Sequence, residues 1–335
     1  MRIVEFVSPA QIAEFCALHG SYPIAPEDYS VRQADAHWGL VDHSGMLLAR
    51  CSLWWHEVPD YPGERLGLIG HYAATMADGA QAARDLLRHA CAELAWQGCS
   101  LAVGPLDGST FRHYRLLTGR QEDGVDHPPF FLEPDNPDAW PTHFEAADFS
   151  PLAGYFSALG PLPEDDPRLE LLQAKADSAG IRIRPVAPDD FAAELQKIFS
   201  VVLRSFQSNY LSMPVAEDEF IAQYGAILPF VRPELVLIAE KGLEAVGFVF
   251  AVPDLAQAQR GEAVDSVIVK TVAVVPEMGG MGLGGLLVGR CQQAARRLGL
   301  TKMVHALMYD DNVSRKISLH YAKPMRRYTL YGCRL

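Results

Sequence analysis

Five glycines fall within seven residues, at Gly279, Gly280, Gly282, Gly284 and Gly285. They stand between a β-rich run, TVAVV, and an apolar-striped helical run, LLVGRCQQAARRL. Glycine permits close backbone approach and left-handed φ values, and a helix start offers unpaired N–H groups with a partial positive charge. Strand, glycine turn and helix in that order make a cradle for an anion. Each helical glycine costs about 1 kcal/mol relative to alanine, a heavy cost for a connection selected only for tight strand–helix packing. Two nucleotide motifs fail on context. Gly280-x-Gly282-x-x-Gly285 has the spacing of a dinucleotide fingerprint, but Pro276-Glu277-Met278 separate it from its strand. Only about 50 residues follow, where several further βαβ units are needed. A P-loop requires Gly-Lys-Ser/Thr, which the segment lacks.

The segment resembles motif A of the GNAT superfamily of N-acetyltransferases. Val274-Val275-Pro276 matches the lead-in, Gly282 and Gly284 the two glycines, and Leu286-Leu287 the apolar helix start. The family's usual Arg/Gln is replaced by Gly279. The resemblance implies acetyl-CoA as cosubstrate, its pyrophosphate wrapped by backbone N–H groups and its pantetheine arm paired with a splayed strand. Residue by residue, it implies contacts at Ala273, Val274, Gly279, Gly280, Met281, Gly282, Leu283, Gly284, Gly285 and Asn312. No metal is implied. In the family a Tyr seven or eight residues after the Asn protonates the leaving thiolate. Here Tyr321 stands nine along, with Ser318 and Tyr309 as competitors and a buried structural role as the other reading for Tyr321. A carboxylate near the start of the strand serves as base, which points to Asp265, with Glu262 beside it; most carboxylates are simply solvated. The implied reaction is acetyl transfer to the amine of a small molecule. A longer acyl donor, or a non-catalytic CoA-binding sensor or scaffold, are the alternatives.

In the first half the corresponding turn reads TMADGAQAARDLL, with one glycine and with Asp78 and Asp85 at neutral positions. Negative charge repels phosphate, so the resemblance implies a degenerate N-terminal GNAT-like domain, organised as in tandem proteins such as mycothiol synthase.

The surrounding elements support a duplicated plan. LLRHAC at 86–91 and LLVGRC at 286–291 share a pattern, each in a helix that ends at a glycine and runs into a strand. Leu283, Leu286, Leu287, Cys291, Ala294 and Leu298 make one stripe of a helix over 282–298. Strands are read at RIVEFV, HWGLV, MLLARCSLWW, LGLIGHYAAT, SLAVG and LAGYFSAL in the first half. In the second they are IRIRPV, LVLIAE, AVGFVFAV, SVIVKTVAVV, KMVHALM and MRRYTLYGCRL. GPLPEDDPR has linker chemistry. The expected fold is α/β (a mixed α+β sheet) in two tandem GNAT-like acyl-CoA N-acyltransferase domains. They cover 1–162 and 181–335, with a linker at 163–180.

Two domains also suit 335 residues. Net charge is −12 and unevenly spread. Residues 1–165 hold 23 acids and nine arginines without a lysine, net −14, and the remainder is net +2. Residues 285–335 alone carry ten bases and two acids, net +8. Such a chain does not bind nucleic acid along a whole face, but suits one small polyanion. The acidic half would also steer a cationic amine. MRIVEFVSPAQIAEF lacks the build of a secretory signal. No apolar run reaches the roughly 18 residues that span a bilayer, the best, VIVKTVAVV, being broken by Lys270. Six scattered cysteines form no CxxC pair. The expectation is a cytoplasmic protein with no membrane or nucleic-acid partner.

Overall fold

A computed structural model describes residues 1–18, 22–25, 34–75, 79–311, 315 and 322–335. Its first half holds β1 (Arg2–Glu5), α1 (Pro9–Ala17), β2 (Ala36–Val41), β3 (Leu47–Trp54), β4 (Leu66–Ala74), α2 (Gly79–Trp96), β5 (Leu101–Gly104), β6 (Leu116–Gly119), α3 (Ala139–Ala146) and β7 (Ser150–Pro161). After α4 (Arg168–Ser178) come β8 (Ile181–Pro185), α5 (Phe191–Ser205), α6 (Glu217–Ile227), β9 (Val236–Lys241), β10 (Glu244–Pro253), α7 (Leu255–Gln259), β11 (Ser266–Val274), α8 (Leu283–Arg297), β12 (Lys302–Tyr309) and β13 (Lys323–Arg334). Local signals account for many boundaries. At α1, Ser8 accepts from the Gln11 N–H while the Gln11 side chain bonds back to the Ser8 N–H, a capping box with Pro9 in the first turn. None of the helices among the described residues is long and apolar enough to cross a membrane.

The strands join in one mixed sheet, ordered β1-β2-β3-β4-β5-β13-β7-β12-β11-β10-β9-β8, with β6 beside β13. Each half follows the same scheme: antiparallel neighbours, then one parallel pair, β4–β5 or β11–β12. The centre departs from two self-contained copies. The last strand of the first half, β7, pairs with β12 of the second, and the last strand of the chain, β13, pairs with β5 of the first. The two exchanged strands then pair with each other from Lys323↔Leu159 to Gly332↔Ser150.

This exchange gives part of the uneven charge a place in the fold. Arg326, Arg327 and Arg334 of β13 meet Glu133, Glu122 and Glu64 of the first half at 3.1, 3.2 and 3.5 Å. β13 thus brings three of the ten bases of the C-terminal end to the acidic half. Only the Arg326–Glu133 pair is buried, both side chains being at most 1% exposed, so it dominates energetically over its exposed neighbours.

One apolar core packs α1, α2 and α3 on β1–β4, and a second packs α5, α6 and α8 on β8–β12. A third, at the junction, gathers Trp54, Leu68, Tyr155, Leu211 and Tyr328 from both halves. The segment expected as a linker holds α4, whose Leu169 and Leu172 pack on α8. Because α4 covers a second side of that helix, Val288 and Gln292 are buried, while Leu298 lies outside the helix and 40% exposed.

Candidate functional site

β11 and β12 run as a parallel pair from Ser266↔Lys302 to Val269↔His305 and then part. Thr271–Val274 remain on β10, whereas Met308 and Tyr309 turn to Phe156 and Tyr155 of β7. The turn away is made at Leu307, whose φ is 58° and whose N–H donates to Ser157 Oγ at 2.9 Å. A gap therefore opens beyond Lys270. The Val275 N–H donates to Val246 O, so on an alternating antiparallel ladder the Val274 N–H points the other way, into the gap.

The glycine turn follows the β11 lip. Pro276–Met278 form a short 3-10 turn, Gly280 and Gly282 both adopt φ 78°, and α8 begins at Leu283. Gly282 caps α8 without a side-chain bond, and the first turn holds no acid. Among the described residues, no acceptor meets the six N–H groups from Gly280 to Gly285; the ladder begins with Leu286 N–H to Gly282 O. With the helix dipole behind them, these donors suit a phosphate. A Cβ at Gly280 would meet nothing within 4 Å, and one at Gly285 only Leu172 at 3.8 Å. Two neighbouring glycines answer to packing instead. A Cβ at Gly282 would lie 2.5 Å from Leu172, and one at Gly289 2.3 Å from Leu169. Beside the turn, a depression of about 500 Å³ is lined by Lys175, Ser178, Ala179, Gly280 and Met281.

Of the expected contacts, Ala273 and Val274 lie on the open lip and Gly279 through Gly285 form the turn, so the structure brings these together. Asn312, Tyr321 and Ser318 lie outside the described residues. Tyr309 stands on the β12 lip, its ring stacked on Tyr210 at 5.3 Å and 13°. Asp265 is placed elsewhere. It precedes the paired, closed end of β11, about 16 Å from Lys270 at about 3.3 Å per residue. Lys302 Nζ at 2.8 Å, Gln257 Nε2 at 2.7 Å and Ser266 Oγ at 2.7 Å hold its carboxylate. Against the cost of burial, these bonds pull its pKa down to about 2, well below the range that suits a general base at neutral pH. Glu262 is tied to Arg260 at 3.0 Å. Among the described residues, three basic side chains of the C-terminal end are likewise engaged by the protein. Arg290 binds Gln173, Arg296 the carbonyls of Leu162 and Pro163, and Arg315 the carbonyl of Asp310.

The sequence reading missed a group supplied across the halves. The loop after β6 lays Glu133 under β13, where Arg326 Nε lies at 3.1 Å and Tyr328 donates at 2.6 Å. Arg326 also donates to the carbonyls of Arg120 and His127. Burial pushes the Glu133 carboxyl above its usual range. Arg115 packs its guanidinium over Tyr114 and Tyr155, 4.0 and 4.4 Å from the ring centres. Lys270 is densely surrounded yet reached by solvent; its Nζ donates to Leu132 O at 3.0 Å. Burial, reinforced by Arg115, pulls the Lys270 ammonium down to about 8. The one available signal was Lys270 itself, a lone charge inside an apolar strand.

Residues 195–318 match the family model described as Acetyltransferase (GNAT) family. That segment is a GNAT-family acetyltransferase domain. No curated protein matches the sequence. Solved structures with this GNAT fold cover nearly all of the chain. One is a GCN5-related N-acetyltransferase from Sphaerobacter thermophilus, at 12% identity and TM-score 0.51, covering 99% of this chain and 95% of that one. A second is a tandem GNAT protein from the clavulanic acid biosynthesis pathway, at 12% identity and TM-score 0.50, covering 99% and 98%. A third is a fungal multi-domain GH3 β-N-acetylglucosaminidase carrying a GCN5-related glucosamine N-acetyltransferase region, at 13% identity and TM-score 0.54. The match covers 99% of this chain and 38% of that protein. At these identities the likeness is one of fold.

Proposed function

We propose that the chain is an acetyl-CoA-dependent N-acetyltransferase acting on the amine of a small molecule, with the cosubstrate held by residues 181–335. Residues 1–162 are a degenerate copy that walls the acceptor pocket, joined through 163–180. The observation that carries this reading is the run of six open N–H groups from Gly280 to Gly285, at the mouth of two parting strands. Those donors would hold the pyrophosphate, with Lys175 on the rim of the adjoining depression. The Val274 N–H would orient the carbonyl-bearing end of the cosubstrate within the gap. Asn312 and Tyr321 keep the roles that the resemblance implies, and Tyr309 is the described phenol nearest to that task. When bound, acetyl-CoA supplies the acetyl group: the amine nitrogen bonds to the acetyl carbon as the carbon–sulfur bond breaks, and the amine's proton ends on the departing thiolate.

Calorimetric titration with acetyl-CoA and thiol release over a panel of amines test this. The informative variant is Gly285→Asp, which puts a carboxylate among the phosphate donors at a position with room for a side chain. A helix accepts an acid in its first turn, so the melting temperature holds or rises while acetyl-CoA affinity falls by roughly 100-fold. Unchanged affinity means that the cosubstrate binds elsewhere. Tight CoA binding without turnover of any amine identifies a sensor or scaffold instead.

A further inference from the structure

We propose that the acceptor carries a carboxylate as well as its amine, and that this carboxylate is received between Arg115 and Lys270 where β11 and β12 part. The proposal rests on the acetyltransferase reading and names the substrate class for it: an amino acid or a close relative.

Arg115 is 8% exposed, and its guanidinium is poorly matched by the protein around it. Its Nη1 reaches Leu307 O at a long 3.4 Å, and Nε meets no acceptor among the described residues. Three tyrosine rings, Tyr114, Tyr155 and Tyr328, face it at 4.0, 4.4 and 6.0 Å. Aromatic faces attract a cation but do not saturate a five-donor fork. No carboxylate pairs with Arg115 among the described residues, although a buried charge ordinarily requires one. Lys270 repeats the pattern on the other strand. Its recorded partner is one carbonyl, that of Leu132, which leaves donors of the ammonium for a ligand.

The charges that face this place leave a positive surplus. Glu133 is the carboxylate in electrostatic reach of Lys270, and it is already taken by Arg326, Tyr328 and the Phe130 N–H. Glu219 is bound to Arg112 at 3.1 Å, and Asp310 to Arg327 at 2.9 Å. Among the described residues, Arg115 and Lys270 therefore stand as two cations without counter-ions of their own. One is anchored to the β12 lip through Leu307, and the other belongs to the β11 lip, one residue past the last strand pair. A carboxylate there would use the buried, unpaired Nε and the ammonium together, in charge-assisted bonds. The two cations come from different halves of the chain, so the exchanged architecture itself would create the subsite. This local positive surplus also opposes the expectation that the acidic half draws in a simple cation.

The test uses the full chain saturated with CoA. N-acetyl derivatives of the twenty standard amino acids, as acetylated-product probes, are titrated beside their uncharged amides. At least one free acid binds tenfold or more tightly than its amide, and Lys270→Met or Arg115→Gln collapses that ratio. Lys270→Met covers the case in which Arg115→Gln fails to fold. The proposal is overturned if no acid outbinds its amide, or if either folded variant keeps the ratio. Failure of the acetyltransferase reading is separately visible, because acetyl-CoA then fails to bind or no amine is turned over.

Discussion

The two halves carry the same parting of parallel strands, and they treat the gap in opposite ways. Ser266 opens the β11–β12 pair as Leu66 opens the β4–β5 pair, so positions correspond at an offset of 200. In the first half the gap is closed by the segment that follows β5. Leu106 N–H donates to Ile69 O at 2.9 Å, and Asp107 Oδ1 accepts from the His71 N–H at 2.5 Å. Gly70 faces this plug so closely that a Cβ would lie 2.4 Å from Leu106 O. In the second half the counterpart of Gly70 is Lys270, and Leu307 turns to Ser157 instead of closing across the gap. By the same offset the counterpart of Gly285 is Asp85, which lies in the second turn of α2 rather than at its start. A gap of this kind stays available only when the following strand has another partner, and here the exchanged β7 is that partner.

Breaking the exchange has the largest expected effect. Arg326→Met leaves Glu133 buried without its counter-charge and costs about 3–5 kcal/mol in urea unfolding. Loss below about 1 kcal/mol would mean that the β13 contact with the first half is held by strand pairing alone.

Disturbing the plug comes next. Gly70→Ala forces a methyl against Leu106 O and destabilises by about 1–3 kcal/mol, whereas Lys270→Met at the corresponding place removes a desolvated charge and leaves stability unchanged or higher. Equal losses in thermal unfolding would show that both gaps are filled.

Asp265→Asn separates a structural carboxylate from a base. The Asp265 pKa is depressed, so its contribution is present above the unfolded value of about 3.9 and is lost as pH falls toward about 2. The side chain is one-third exposed, and the loss at pH 7 is about 1 kcal/mol after allowance for solvent screening. kcat changes by less than about threefold; a collapse of kcat with the fold intact would return Asp265 to the chemistry.

The smallest effect is in pH. Lys270 is depressed to about 8, so below that value it is charged and its desolvation cost is fully present. The cost is relieved as pH rises toward about 10.4, the unfolded value. A carboxylate ligand favours the charged form, so affinity for an N-acetyl amino acid declines as pH rises through about 8. A flat profile from pH 7 to 9 would remove Lys270 from the subsite.

Much of this was legible in local pattern. Alternation and helical spacing located the strands and the helix after the glycine turn, because burial of one face imposes those periods. The turn itself was legible because glycine clusters and helix starts act through nearby backbone. α4 was hidden by its weak apolar stripe and by the prolines before it, and its packing on α8 gave Gly282 and Gly289 a purpose that spacing alone does not reveal. Asp265 looked catalytic from its place near the strand's beginning, whereas the register puts it at the closed end.

The sequence by itself determined the periodicities, the backbone chemistry of the Gly279–Gly285 turn and the opposite charge of the two ends. Only the tertiary structure decided that β7 and β13 change places, that Arg326 finds Glu133, and that Arg115 and Lys270 meet at one gap. Local periodicity follows from interactions a few residues long. Strand partners more than 140 residues apart are chosen by register, shape and charge across the sheet, which no window of sequence contains.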